Sequence, residues 1–228
     1  MALCRGEPSV PQLVLACCTA LVIGEGVRTE GIFKHVAPAE AVERMSTCVA
    51  GGRPALIPPG TSPHVIATLL KNFLLGLEEP LLTYRLLPDW ITAAADLDSG
   101  RVDALLAALP AANANVLRLL LEVAYYVNGN AADTEMDSLA LAQALAPCVA
   151  WLPPALKPAR PVAASGDGAD AQEPASAANA DVPATATGGA AVAAAEGAQK
   201  IVPLEGDEAQ AVVLVLESLI NRYAHIFG

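Results

Sequence analysis

The sequence predicts an all-α fold, from two features of its composition and one of its patterning. Hydrophobic residues make up 54% of the 228 positions, whereas aromatic residues make up only 4%. Much of the apolar content is Ala and Leu, which favour helices, and runs of β-branched residues are few. In several segments the apolar residues recur at intervals of three and four, which is the spacing of a helix with one buried face.

The charge of the chain excludes some classes of partner. Its formal net charge is −11, which argues against nucleic acid or an anionic membrane as the main partner. The longest apolar run, residues 13–23, has 11 residues and is too short to span a bilayer. Before it, Arg5 is followed by Glu7 and Pro8, a poor match to a signal peptide. We therefore expect a soluble protein without direct membrane insertion.

The cysteines and histidines give no sign of a disulfide framework or a metal site. The five cysteines are an odd set without a CxxC spacing: Cys4, Cys17, Cys18, Cys48 and Cys148. The three histidines are scattered along the chain: His35, His64 and His225. Reduced thiols and a cytoplasmic location are therefore expected, with no bound metal.

Helical patterning predicts eight helices, at residues 10–23, 38–49, 64–77, 81–95, 101–109, 113–128, 137–152 and 208–227. The segment 64–77 has the most regular buried stripe, formed by Val65, Ile66, Leu69, Leu70, Phe73, Leu74 and Leu77. Ala67, Lys71 and Leu75 follow one another at intervals of four on the opposite side. Their spacing predicts a small exposed contact surface on this side of the helix.

Residues 153–202 differ from the rest of the chain in composition. They are mostly Ala, Pro, Gly, Ser, Asp and Thr, with no aromatic residue and no hydrophobic periodicity. Such a segment buries too little apolar surface to offset the entropy of ordering. The sequence therefore predicts a helical domain in residues 1–154, a disordered Ala/Pro/Gly-rich insertion in residues 155–203, and the closing helix of the same domain in residues 204–228.

No self-contained active site is visible in the sequence. Gly24-Glu25-Gly26 lacks the second half of a nucleotide-binding fingerprint, and no GxSxG sequence occurs. Asp96, Asp98 and Asp103 lack the spacing of a cation-binding loop and are expected to form a solvated loop and a helix cap. A binding or regulatory module is favoured over an enzyme.

Several sequence blocks resemble those of the Rho GTPase-activating (RhoGAP) domain family. In order along the chain they are TEGIF at 29–33, LLKNFL at 69–74, EPLLT at 79–83, residues 109–120, residues 141–147 and residues 219–227. The order and spacing of these blocks make the resemblance specific. It covers roughly residues 10–154 and 204–228 and leaves out the predicted insertion.

The resemblance implies a helical bundle that binds GTP-loaded Rho-family small GTPases and inserts an arginine finger beside the γ-phosphate. Such a domain activates an enzyme without being one, and it needs no cofactor of its own because the GTPase holds GTP and Mg²⁺. Lys34 occupies the finger position. The GTPase-binding positions implied by the resemblance are Lys71, Leu75 where the family usually has Arg, Ala140 where it has Asn, and Gln210 near a frequent Asn-Pro.

Three hypotheses follow from the sequence. The chain stimulates GTP hydrolysis weakly, with Lys34 in place of the finger arginine. Alternatively, it binds a GTPase as an adaptor without accelerating hydrolysis. The third hypothesis is a scaffold for an unrelated partner. A lysine keeps the positive charge of arginine but lacks its planar fork of donors, so we expect weaker stimulation than an arginine would give.

Overall fold

The structure, a computed structural model, describes residues 10–50, 57–153 and 201–228, apart from the side chains at 48–50 and 99. These residues form the helices α1 (Gln12–Ile23), α2 (Ala39–Ala50), α3 (Pro63–Leu75), α4 (Leu87–Ala93), α5 (Ser99–Ala108), α6 (Ala111–Gly129), α7 (Ala131–Thr134), α8 (Ser138–Val149), α9 (Gly206–Asn221) and α10 (Tyr223–Phe227). A 3₁₀ turn, Glu25–Arg28, follows α1, and two short strands, β1 (Trp151–Leu152) and β2 (Val202–Pro203), pair antiparallel. The predicted all-α class is confirmed.

The helix ends follow from local chemistry. The Asp98 side chain accepts the Arg101 amide at the start of α5, and the Asp137 side chain accepts the Ala140 amide at the start of α8. Pro63 occupies the first turn of α3, where its missing N–H costs no hydrogen bond. Gly24 ends α1 and donates its amide to the Ala20 carbonyl.

A main apolar core joins most of the helices, and a smaller cluster of Ala37, Val42 and Val65 lies between α2 and α3. α9 lies along α8 and also contacts α4 and α6, while α1 packs against α3 and α6. The apolar residues that form one stripe of α6 are all buried: Val116, Leu117, Leu120, Leu121, Val123, Ala124 and Val127. In the described part of the chain, no helix is both long and apolar enough to cross a membrane.

The segment predicted as a helix over 81–95 is helical only from Leu87 to Ala93. Before α4 the backbone groups bond to distant partners, which prevents a helical ladder. The Leu82 amide donates to the Val149 carbonyl, and the Asn113 side chain donates to the Leu81 carbonyl. Thr83 takes a left-handed conformation with φ of 59°.

The ends of two later helices also differ from the prediction. α8 ends at Val149, two residues beyond Pro147, and Trp151 and Leu152 form β1 instead of a last helical turn. The closing segment is interrupted at Arg222, which separates α9 from α10. There the backbone departs from helical geometry with φ of −98° and ψ of 5°.

The predicted insertion lies almost wholly outside the described residues, which stop at Pro153 and resume at Ile201. In β1 and β2, Leu152 is paired with Val202 and Trp151 with Pro203. The described chain therefore resumes beside the point where it stops. The strand β2 lies just before the predicted boundary at Leu204.

We expect α9 to be an integral part of the domain. Leu219 in α9 is 0% exposed, whereas Leu139 on α8 is 38% exposed. Leu219→Ala should lower the free energy of unfolding by about 2–5 kcal/mol in urea titrations. Leu139→Ala is the matched control and should cost less than about 1 kcal/mol. Similar costs for the two variants would contradict this packing of the closing helix.

Candidate functional site

The segment that carries Lys34 is a tight, strained loop. We call residues 31–37 the finger loop. Gly31 and Phe33 both have left-handed backbones, with φ of 60° and 67°. The Gly31 carbonyl accepts the Lys34 and His35 amides at 3.0 and 2.9 Å, and the Gly31 amide donates to the Thr134 carbonyl at 2.7 Å. A left-handed Phe is uncommon, so the surrounding contacts must hold it.

The finger loop places Lys34 at the surface immediately after two buried anchors. Ile32 is 0% exposed and Phe33 is 1% exposed, and both pack in the main core. Lys34 is exposed. Within the described residues its ammonium group has no hydrogen-bond or ion-pair partner. The loop therefore presents an unpaired cation from a rigid base.

One face of α3 holds the finger loop at three points. The Lys71 ammonium donates to the Phe33 carbonyl at 3.1 Å. The Thr68 hydroxyl oxygen accepts the Ala37 amide at 3.3 Å, and the rings of His64 and His35 have their centroids 5.6 Å apart. Positions 64, 68 and 71 are four and three residues apart and share one side of a helix. We call His64, Thr68 and Lys71 the α3 clamp.

The two imidazoles of this contact differ in environment. His35 is exposed and His64 is half-buried. The Nδ1 atom of His64 is sealed from solvent and has no hydrogen-bond partner among the described residues. Burial, with a smaller contribution from the neighbouring His35, lowers the pKa of His64. The folded protein therefore favours the neutral form of His64.

The His35 ring lies directly over Gly31. A Cβ atom added to Gly31 would come within 2.5–2.8 Å of this ring. Both this close approach and the left-handed φ of 60° require glycine at position 31. His35 thus contacts the loop's own backbone on one side and His64 of the α3 clamp on the other.

The structure corrects the contact surface predicted on α3. Ala67 is 1% exposed and belongs to the core. Leu75 is half-buried and packs against the core rather than standing free. α3 lies between α1, α2 and α8, so little of its circumference faces solvent. Of the three predicted surface positions, Lys71 alone contacts the finger loop, and it does so through a partly buried ammonium group.

Two other predicted positions, Ala140 and Gln210, are not joined to the finger loop by any described contact. Ala140 is half-buried in the first turn of α8, and Gln210 is exposed on α9. An apolar cleft of about 180 Å³ lies between α8, α9 and the strand pair, with Gln143 and Ala209 in its lining. Neither Ala140 nor Gln210 is among the residues that line this cleft.

Sequence reasoning missed the roles of His64 and Thr68. Their spacing from Lys71 places all three on one helical face, and this signal was available. The approach of His35 to His64 could not be read from the sequence, because 29 positions separate the two residues. Their proximity results from the loop folding back on α3.

The described residues offer no metal centre or nucleophile. They contain no group of three or more His, Cys, Asp or Glu residues placed to hold a metal. Cys17, Cys18 and Cys148 are free and buried. Burial raises the pKa of Cys17 to about 12 and that of Cys148 to about 11, so these thiols are unreactive near neutral pH.

Comparison with protein families identifies this architecture. Residues 11–154, more than half of the chain, match the family model described as the RhoGAP domain. The chain belongs to the RhoGAP domain family. Its members are regulators of Rho-family GTPases, and the finger loop and the α3 clamp both lie within the matched residues.

Curated relatives support the same family. Mouse SH3 domain-binding protein 1 is 32% identical over 145 residues, which cover 62% of this chain and 21% of that protein. Human Rho GTPase-activating protein 1 is 30% identical over 142 residues, 61% of this chain and 32% of that protein. The match thus spans between a fifth and a third of these longer relatives.

Solved structures show the same fold. The BH domain from GRAF, described as the GTPase regulator associated with focal adhesion kinase, superimposes with a TM-score of 0.65 at 18% identity, covering 95% of this chain and 93% of that one. Human Rho GTPase activating protein 15 gives a TM-score of 0.64 at 17% identity, covering 96% of this chain and 85% of that one.

The two lysines of the site should differ in their effect on stability. Lys71→Met keeps the aliphatic stem but leaves the Phe33 carbonyl without its charged donor. Urea unfolding should show a loss of about 1.5–3 kcal/mol. Lys34→Met changes an exposed side chain and should cost less than about 0.5 kcal/mol. Equal costs would show that Lys71 does not hold the loop.

Proposed function

We propose that this chain binds the GTP-loaded form of a Rho-family small GTPase and stimulates its GTP hydrolysis weakly, using Lys34 in place of a finger arginine. The GTPase would supply GTP and Mg²⁺, so the chain needs no cofactor of its own. Membership of the RhoGAP family supports the class of partner. Three free, buried cysteines support a reducing compartment, and a cytoplasmic location is part of the proposal.

One observation carries this proposal: an exposed lysine, without a partner among the described residues, directly follows two buried anchors in a loop that α3 holds at three points. Ile32 and Phe33 fix the loop in the core, while Lys34 points its charge away from it. A cation positioned in advance stabilises charge that develops on a phosphoryl group in the transition state. The whole chain has a formal net charge of −11, so this exposed cation contrasts with an acidic background.

The chemistry of lysine limits the expected stimulation. An arginine finger contributes roughly 10³–10⁵ in rate, partly because its planar fork bonds two acceptors together. A lysine supplies the charge through a single flexible ammonium group. Since each factor of ten in rate corresponds to about 1.4 kcal/mol, the loss of the fork would remove several kcal/mol of transition-state stabilisation while leaving part of the electrostatic effect.

A GTPase-binding adaptor without activity is the second candidate function. It is favoured by the replacements at Leu75 and Ala140, which put apolar side chains at two positions where the family usually has polar ones. Binding depends on a wider surface than the finger and tolerates such changes. The α3 clamp would then preserve the loop as a contact surface only.

Single-turnover GTP hydrolysis by a panel of Rho-family GTPases separates the two candidates. We expect the wild-type chain to accelerate hydrolysis by at least one GTPase, and Lys34→Ala to lower that rate about three- to tenfold because it removes the charge. Lys34→Arg should raise it by about tenfold or more because it restores the fork.

Binding of the same variants to the GTPase loaded with a non-hydrolysable GTP analogue is the matched control. Lys34→Ala should keep most of its affinity, since the remaining surface is unchanged. Equal hydrolysis rates for wild type and Lys34→Ala, with binding retained, would exclude activation and leave the adaptor. Absence of binding to every GTPase in the panel would leave only the scaffold hypothesis.

A further inference from the structure

The contact between His35 and His64 has a chemistry that the other contacts of the finger loop lack. Backbone hydrogen bonds and the Thr68 hydroxyl do not change charge with pH, whereas histidine ordinarily gains a proton between about pH 8 and pH 5. The two rings lie 5.6 Å apart, centroid to centroid. A double protonation would therefore place two like charges side by side against the loop.

We propose that His35 and His64 are positioning residues which hold the finger loop when both rings are neutral and release it when the pair takes up protons. The geometry supports each step. His35 covers the left-handed Gly31, and His64 supports His35 from α3. Lys34 lies next to His35 in the chain, so movement of the His35 ring changes the base from which Lys34 is presented.

The environment of His64 makes protonation unfavourable in the closed arrangement. Its Nδ1 atom is sealed from solvent and lacks a hydrogen-bond partner among the described residues. A proton bound there would have no acceptor, and the charged ring would be poorly solvated. His35 is already exposed, so opening of the contact would chiefly expose the His64 ring to water, and protons favour the open loop.

The release of the finger loop on protonation also depends on the charged side chains near the two rings. The charged residues on the elements around the pair are Glu30, Lys34, Glu40, Glu43, Arg44 and Lys71, with Asp133 and Glu135 on either side of Thr134. The pKa of His64 is lowered first by burial and then by His35, and none of these carboxylates contributes to its shift. Lys71, on the same face of α3, adds a further positive charge.

The sign of the pH dependence follows from the lowered pKa of His64. The unfolded chain takes up this proton more readily than the folded one, so the stability linked to His64 is complete above an ordinary histidine pKa of about 6.5. That stability is lost as the pH falls from there through the lower pKa of the folded state. An ordered loop is thus expected near neutral pH and a released loop in mild acid.

The direct test is an NMR titration of the full chain without any GTPase, from about pH 8 to about pH 5. The ring signals of the three histidines and the amide signals of Gly31 and Lys34 are followed together. In the wild type, both amides should shift as the pH falls, together with the ring signals of His64. The Gly31 amide should also exchange about tenfold faster at the acid end.

Two variants isolate the pair. His64→Phe keeps a ring against His35 but cannot be protonated, and it should abolish the pH response of the Gly31 and Lys34 amides. His225→Gln is the matched control, because His225 is exposed on α10, and it should leave the response unchanged. Loop amides that stay constant in the wild type, or that respond equally in His64→Phe, would overturn the proposal.

The effect on a GTPase rests on the proposed function and is measured separately. Stimulated hydrolysis should fall by about tenfold more from pH 7.5 to pH 5.5 in the wild type than in His64→Phe. Loop amides that titrate as expected would support the positioning role even where no GTPase responds, and that combination would contradict only the proposed function.

Discussion

The partly buried ammonium group of Lys71, bonded to the Phe33 carbonyl, is the interaction on which the arrangement of the site depends. Phe33 is left-handed, a conformation with an energetic cost that persists only where surrounding contacts compensate it. Burial of the Ile32 and Phe33 side chains supplies part of this compensation. The hydrogen bond from Lys71 supplies another part and fixes the direction of the Phe33 carbonyl. Together these contacts hold the finger loop in the conformation that leaves Lys34 exposed.

The same α3 face links the fold to the site. α3 buries its apolar side against α1, α2 and α8, and this burial fixes the height and rotation of the clamp residues. His64, Thr68 and Lys71 then reach three different parts of a loop that lies nearly 30 positions or more away in sequence. Because the core sets the position of the clamp, its precision does not depend on the exposed surface on which Lys34 lies.

The residues that shape the finger loop differ in role from the residues proposed to contact a GTPase, and this difference bears on function. The parts that shape the loop are present: glycine at 31, the anchors Ile32 and Phe33, and the donor Lys71. In the proposed function, Lys34 takes the place of a finger arginine, while Leu75 and Ala140 take the places of polar contact residues. A domain that presents a cation but lacks the fork is suited to binding with modest acceleration.

Much of the fold could be predicted from the sequence, because helical periodicity reports burial directly. The stripe predicted for residues 64–77 is an example, since five of its seven positions are buried and the other two, Phe73 and Leu77, are half-buried. The prediction failed where distant partners override local preference: the Leu81 carbonyl accepts the Asn113 side chain, and the Leu82 amide donates to the Val149 carbonyl rather than to a helix. The exposure of Ala67 and Leu75 was also wrong, because α3 is enclosed by three other helices. The contact of His35 with His64 could not be predicted, because it depends on tertiary folding.

The most direct test of the central claim is the affinity of the chain for a Rho-family GTPase loaded with GDP and aluminium fluoride, which mimics the phosphoryl group in transit. If Lys34 reaches that group, the wild-type chain should bind this form about tenfold or more tightly than the GDP form, and Lys34→Ala should lose most of the difference. Equal affinity of wild type and Lys34→Ala for the aluminium fluoride form would contradict the account.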